Sequence, residues 1–480
     1  KLYLKNREPI VKAALRKALN YQGAVYPILG FIGTGGGYRA MILSTGYCKA
    51  LSKMDLLEGM TYMSSLSGST WFLAPWIISG LSIEAFQEVL RTKIRQGKFD
   101  LKSMRYQLPS QIHSLVEDIL WPKFIYSQPI SSIDLFGALL SYALLWPFEQ
   151  FMHKQTLSAQ VKKVIDGKVP FPIYTAVSMH NVQGVYRYHW YEFNPLFIRN
   201  LEMHLSMPST TFGSSYYQGY IRLAAPEQAL GFLLGTFGSA YTVNVKDIDR
   251  ILQASVAYEE QQMQGAAKTK YTIIKQLLSV IQDLSPISTA RFSPAQVANP
   301  FYGYTPEVKW LNDRILLTFV DGGISYNIPV RPLALPERKA QVLIIGESSG
   351  NAPTQAELHK AFEDLKRVYG YEYTQVNTQG SSVVQFYKDL KHPHAPKIIY
   401  VTYLKDQALI EKEKEGNLKE LIDKANLITF DPIKCVEKEA CNTFNFNYTL
   451  KDFDQLAGLA EFNLYANRER VIQFLKDTIQ

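Results

Sequence analysis

The residue types in this chain that can do chemistry fall at four places: a serine in Ser65-Leu66-Ser67-Gly68-Ser69-Thr70-Trp71, a glycine run Gly33-Thr34-Gly35-Gly36-Gly37, a cation at Arg39 and a carboxylate in Asp321-Gly322-Gly323. Ser67 follows the β-compatible run Thr61 to Leu66 and precedes a helix-compatible one. A serine on such a strand-to-helix turn presents its hydroxyl outward, and Gly68 behind it permits close backbone approach. The chemistry is nucleophilic attack, which requires a base to take the hydroxyl proton and donors to hold the developing oxyanion.

Asp321 is the candidate base. It ends the apolar run Leu316 to Val320, and the two glycines after it leave room for a ligand or another backbone. In water a carboxylate is a weak base, but a dry cleft raises its proton affinity. The other fate of an Asp-Gly pair is a carboxylate capping its own turn. A Ser, Asp, His triad is the alternative arrangement, since His359, His392 and His394 follow Asp321. His359 falls on an amphipathic helix beside Leu358, and His392 and His394 sit in the proline-bearing KHPHAPK segment. All three read as surface residues, so the triad stays open as the second mechanism.

The glycine run lies between the buried strand expected over Tyr26 to Ile32 and a helix expected over Tyr38 to Met54. Its spacing fails the dinucleotide pattern, and no Gly-Lys-Ser/Thr follows, so it is neither a Rossmann fingerprint nor a P-loop. A plain tight turn satisfies it; so does an oxyanion hole made by the amides of Gly36 and Gly37 at a helix start. Arg39 falls in the first turn of that helix, where a cation opposes the helix dipole. Its placement points to an anionic ligand such as a phosphate, or to a neighbouring acid.

The elements that must position these residues alternate in type. Strand, glycine loop and helix are followed by strand, serine turn and helix, which implies an α/β core with a mostly parallel or mixed sheet. An amphipathic helix is expected over residues 1–22. Further strands are expected over Phe171 to Val177, Val185 to Phe193, Gln341 to Ile345 and Lys397 to Tyr403. Helices are expected over Ala356 to Tyr369 and Arg468 to Ile479. Residues 80–160 look helical, either packed on the core or facing lipid. Residues 196–243 look like helix and turn. Glu259 to Lys270, the most polar stretch of the middle region, reads as a mobile connection and a candidate lid.

The chain has 480 residues, 47% of them hydrophobic, and a formal net charge of +8. This describes a globular protein; the modest basic excess suits a phospholipid surface or ordinary solubility. No basic block suits nucleic acid. The longest apolar run, Phe136 to Phe148, is too short to span a bilayer. Cys48 reads as core. Cys435 and Cys441 can pair, but they make no zinc pattern, and so few cysteines suit a reducing compartment.

GTGGGYRAM, SLSGSTW and FVDGGISYNIPVRPL, in this order, resemble the catalytic domain of the cytosolic phospholipase A2 family, which is related to fungal lysophospholipases and more distantly to patatins. The likeness continues through YTAVSMHNV, YEFNPLFIR, GFLLGTFGSAY, TFNFNY and FDQLAGLAEFNLYANRERVI, so it runs from Gly33 to Ile479. The resemblance implies a patatin-like core in one catalytic domain over 1–480, with roughly 80–160 and 195–310 forming an inserted cap and no calcium-binding C2 domain. It implies a phospholipid acyl hydrolase with Ser67 as nucleophile and Asp321 as sole base. Gly36 and Gly37 would be the oxyanion donors, and Arg39 would sit at the substrate phosphate. No cofactor and no metal are implied. The partners would be a phospholipid membrane surface, met peripherally from the cytoplasm, and the fatty acid and lysophospholipid products. Export toward foreign membranes also stays open. Two departures stand out: Ser65 and Gly322 replace the family's usual glycine and serine. Lysophospholipase or transacylase activity on the same dyad, and a membrane-binding protein with an unused site, are the alternatives.

Overall fold

The structure is a computed structural model. It describes residues 1–20, 27–97, 113–145, 154–240, 256–257, 260–283, 294–377, 379–437 and 440–479. The strands in chain order are β1 (Ile28–Gly33), β2 (Met60–Leu66), β3 (Phe171–Val182), β4 (Val185–Phe193), β5 (Phe197–Asn200), β6 (Ser206–Pro208), β7 (Ser215–Tyr217), β8 (Tyr220–Leu223), β9 (Ala295–Ala298), β10 (Leu316–Asp321), β11 (Ala340–Gly346), β12 (Tyr373–Val376), β13 (Val384–Asp389) and β14 (Lys397–Val401). The chain forms two compact units. The first comprises Lys1–Gly97, Lys162–Tyr174 and Tyr326–Gln480; the second comprises Lys98–Val161 and Thr175–Ser325.

In the first unit β1 lies between β2 and β11, parallel to both, and β14 extends the parallel run beyond β11. β13 and β12 then continue it antiparallel. β1 (ILGFIG) and β11 (AQVLIIG) are buried along nearly their whole length. That is why they read as continuous apolar runs and not as alternating ones. Four helices open this unit: α1 (Leu2–Leu19), α2 (Gly37–Lys53), α3 (Thr70–Ser79) and α4 (Ile83–Arg95). The helix Leu450–Ala466, last but one in the chain, lies along α2. It brings buried Glu461 to Lys49 at 3.0 Å and Lys53 at 2.6 Å.

The second unit is antiparallel in its strands. β4 pairs with β5 and β5 with β6, while β10 pairs with both β3 and β9, setting Asp321 opposite Ala176. Ser132–Leu145 and Leu230–Phe237, apolar all round, pack closely enough that a Cβ on Gly137 would meet the Gly231 carbonyl at 2.3 Å.

Two expectations are corrected. Residues 196–243 hold four strands, β5 to β8, before the helix Leu230–Phe237. Their short alternations and Gly-bearing turns give them β structure, which composition alone concealed. The polar stretch read as a mobile connection contributes the first turns of a long helix, Gly265–Asp283. Ala266, Ala267 and Lys268 are good helix formers, and Lys270 is held by Glu117 at 2.6 Å. Of the region expected to be helical, Ile83–Arg95, Val116–Leu120, Trp121–Ile125 and Ser132–Leu145 are helical among the described residues; the first belongs to the first unit and the others to the second. The parts of these expectations that fall on 98–112, 146–153, 241–243 and 259 lie outside the described residues.

Candidate active site

Ser67 follows the last residue of β2 and begins the single turn Ser67–Ser69 that leads into α3. Its φ is 53°, a left-handed value that costs a non-glycine residue conformational energy. The surroundings hold it there. Ser69 Oγ accepts from Leu66 N at 2.9 Å and lies 2.8 Å from both acceptors Gly33 O and Leu66 O. Thr70 Oγ1 donates to Ser67 O at 2.6 Å. Ser65, the residue that departs from the family pattern, is buried and donates its hydroxyl to Ile173 O at 3.1 Å. The extra side chain is therefore satisfied within the core.

The glycine loop lies directly against this turn. A Cβ on Gly68 would stand 1.9 Å from Gly37 O, and one on Gly35 would stand 3.3 Å from the Ser67 Cβ. Gly36 caps α2 with φ 144°, and Gly37 follows at φ 62°. These conformations expose the first amides of a 17-residue helix, which have no intrahelical partners. Strand end, strained serine and helix start are thus packed together, and unpartnered amides at a helix start are donors toward anions in general.

Arg39 is fully buried. Its Nε donates to Ser348 O at 2.8 Å, Nη1 to Cys441 O at 2.7 Å and Nη2 to Thr443 Oγ1 at 3.0 Å. Sequence reading gives this guanidinium to a phosphate. Three of its five donors meet protein acceptors, which tie the start of α2 to residue 348 and to residues 441–443. The same Ser348 carbonyl would clash at 2.4 Å with a Cβ on Gly36. Arg39 thus fixes the carbonyl against which the glycine loop rests. Lysine keeps the charge but cannot reach three acceptors in one plane. In Arg39→Lys we expect a melting temperature lowered by an amount equivalent to about 1–3 kcal/mol for each carbonyl left unpaired, with turnover falling in parallel. Thermal denaturation and ester hydrolysis measured on the same preparation check this, and full activity with unchanged melting would contradict it.

Sequence reasoning missed Glu347. It is buried just after β11, and its Oε1 accepts from Thr34 Oγ1 at 3.1 Å, Ser348 N at 2.8 Å and Ser349 N at 2.6 Å. Tyr400 donates to Oε2 at 2.9 Å. Burial, and then the charge of Glu347, pushes the Tyr400 hydroxyl far above its ordinary range, so it stays protonated as a donor. Glu347 holds the Thr34 end of the glycine loop while Arg39 holds the helix end. The available signal was an acid among small residues, GESSG, straight after a strand.

The wall beside the loop is aromatic. Tyr38 packs edge-on against Trp71 at 5.5 Å and Phe446 at 5.0 Å. The TFNFNY segment noted in the sequence supplies Thr443, Phe446 and Tyr448 to this region. Cys435 and Cys441, whose pairing was left open, form a disulfide, and Cys441 O is the Arg39 acceptor. Cys435, Cys441 and Asp452 are the only cluster among the described residues with metal-compatible spacing, and the disulfide consumes both thiols.

In the second unit Asp321 ends β10, with 2% of its surface exposed. Its N donates to Ser239 Oγ at 2.9 Å, and its Oδ1 accepts from Gly323 N at 2.9 Å. The turn-capping role and a buried, oriented carboxylate are therefore both present. The histidines of the alternative triad are placed otherwise. His359 is exposed on Ala356–Tyr369, and His392 Nδ1 meets Asp389 at 2.9 Å. His394 lines a surface pocket with Lys339 and Tyr371.

Residues 29–384 match the lysophospholipase catalytic domain. The chain belongs to that family. It is 23% identical to mouse cytosolic phospholipase A2 delta over 542 aligned positions, covering all of this chain and 62% of the relative. It is 25% identical to human cytosolic phospholipase A2 zeta, covering 77% of this chain and 47% of the relative. The solved structure of human GIVD cytosolic phospholipase A2 superposes with a TM-score of 0.73 at 20% identity, covering 99% of this chain and 64% of that one. The same enzyme in complex with methyl gamma-linolenyl fluorophosphonate gives 0.69. The fold is that of the cytosolic phospholipase A2 catalytic region, and this chain spans less than two-thirds of the length of these relatives.

Proposed function

We propose that the protein is a serine acyl hydrolase that cleaves fatty-acyl esters of glycerophospholipids. The observation that carries this reading is Ser67, held at φ 53° against a glycine loop at a helix start. Ser67 Oγ attacks the ester carbonyl while Asp321 takes its proton. The amides of Gly36 and Gly37 hold the oxyanion, and Arg39 and Glu347 keep those amides in place. Asp321 returns the proton to the departing lysophospholipid alcohol. Water deprotonated by the same carboxylate then releases the fatty acid from Ser67. The family membership and the shared order of the glycine, serine and aspartate motifs support the pairing of Ser67 with Asp321.

The substrate lies in a bilayer, so the enzyme meets it as a peripheral protein, on the cytoplasmic side in keeping with the names of its relatives. No helix among the described residues is long and apolar enough to cross a membrane. The test is covalent: a lipid-chain fluorophosphonate should add to Ser67, located by peptide mass spectrometry. Vesicle binding without an adduct would instead favour a membrane-binding protein with an unused site. The family match favours one second reading, lysophospholipase or acyl transfer through the same acyl-serine. Product analysis with and without an alcohol acceptor separates these reactions.

A further inference from the structure

β7 and β8 form a two-stranded ribbon in the second unit, and among the described residues neither pairs with any other strand. The turn between them is Gln218-Gly219, with φ 52° and 82°, the geometry of the tight hairpin that matches strand twist. Tyr217 pairs with Tyr220, and Tyr216 pairs with Ile221. Successive residues point to opposite sides of a ribbon. Tyr217 and Tyr220 therefore share one face and Tyr216 and Ile221 the other; a register shift between Ser215 and Tyr216 makes Arg222 the extra residue of a bulge, so Leu223, opposite Ser215, returns to the Tyr217 face. Tyr217, Tyr220, Ile221 and Leu223 are 37%, 75%, 44% and 42% exposed.

The loop after β9 supports the ribbon. Gln218 N donates to Tyr302 O at 2.8 Å, and the Tyr217 and Tyr302 rings lie 5.3 Å apart. Tyr304, 54% exposed, stands beside the turn; its ring would be 3.2 Å from a Cβ on Gly219. An isolated hairpin is marginal in water. This one nonetheless carries large apolar and aromatic side chains outward on both faces.

A flat protein partner covers one face of a ribbon. Apolar side chains on both faces suit a medium that surrounds the ribbon. Tyrosine, with an apolar ring and a polar tip, is the side chain favoured where hydrocarbon meets water. The charge fits the same occupant: residues 211–226 and 295–306 contain no Asp or Glu, and Arg222 is their only charged residue. The Arg222 guanidinium lies 5.4 Å from the Tyr217 ring centroid, at the level where lipid phosphates would lie. We propose that the β7–β8 ribbon with Tyr304 enters the headgroup layer of a phospholipid membrane and anchors the second unit to it. The proposal rests on the reading of the protein as a phospholipid hydrolase and names the surface by which it reaches its substrate.

The test uses the whole chain and phosphatidylcholine vesicles, with and without phosphatidylserine. In Tyr220→Ser/Ile221→Ser/Tyr304→Ser we expect the vesicle-bound fraction to fall about tenfold or more, with hydrolysis of a water-soluble short-chain ester unchanged. Arg222→Ala should weaken binding to the anionic vesicles by about fivefold. Tyr220→Trp, which keeps an aromatic anchor, should bind like wild type and add a blue-shifted emission component when vesicles are present. Unchanged binding in the triple variant, or no emission shift in Tyr220→Trp, overturns the proposal. So does a concentration-dependent dimer that the triple variant abolishes while vesicles are ignored. Wild-type protein that binds vesicles through the ribbon yet cleaves no soluble ester upholds the surface and sinks the hydrolase reading, so the two failures are distinct.

Discussion

Ser67→Ala should bring phospholipid and soluble-ester cleavage down to the uncatalysed background, and Asp321→Asn should do nearly the same. Both variants preserve the fold's local demands. Alanine tolerates a φ of 53° no worse than serine, and asparagine keeps an oxygen for the Gly323 amide that Asp321 Oδ1 now caps at 2.9 Å. What each loses is chemical: the attacking oxygen in one case, the proton acceptor in the other. A general base contributes about 10²–10⁴-fold, and removal of a nucleophile removes the covalent route altogether. Residues that act as one unit fail together, so the double variant should be no slower than Ser67→Ala alone. Kinetics on a chromogenic ester, with circular dichroism to confirm folding, decide the matter. An active Asp321→Asn beside a dead His392 or His394 variant would move the base from the carboxylate to a histidine and end the dyad account.

Gly68→Ala should be the next most damaging change, though it removes no functional group. The added methyl would lie 1.9 Å from Gly37 O and 2.5 Å from Gly37 C. Both are backbone atoms in a loop pinned by Arg39 and Glu347, so neither can yield cheaply. The serine turn must therefore separate from the glycine loop, and the amides proposed to hold the oxyanion lose their distance to the reacting carbon. Loss of one such donor costs about 2.7–4 kcal/mol of transition-state stabilisation, roughly 10²–10³-fold in turnover. Gly350→Ala is the control, because a Cβ there meets only Arg39 Nη2, at 3.9 Å. We expect kcat to collapse in the first variant and stay near wild type in the second, with melting temperatures recorded for both. Equal activity in the two would mean that turn and loop need not touch for catalysis.

Much of the first unit was legible because its signals are local. An apolar run, a glycine break and a helical period recur within about 25 residues at β1 and α2 and again at β2 and α3. Short-range periodicity reports that kind of order. The tight turns at Ser67, Gly36 and Gly37 were legible for the same reason: such a conformation is a property of a few adjacent residues. The hairpin at 215–223 and the helical turns at 265–270 were misread because composition was weighed above turn geometry and propensity.

Arg39 shows where sequence stops. Its place in a first helical turn was readable, but its acceptors stand 309, 402 and 404 positions away. Nothing local reveals that its side chain ties two distant segments, at 348 and at 441–443, to the start of α2. Glu347 is the same case in reverse, an unremarked acid until folding sets Thr34 and Tyr400 beside it. The disulfide between Cys435 and Cys441 was an open option until the backbone set their Cα atoms 5.0 Å apart. The amino-acid order by itself determined which groups are available for the proposed ester chemistry and the local turns that present them. Tertiary structure alone decided which distant segments hold those turns rigid. A buried polar group must find partners wherever the packed chain brings them, and that choice is made by the fold as a whole.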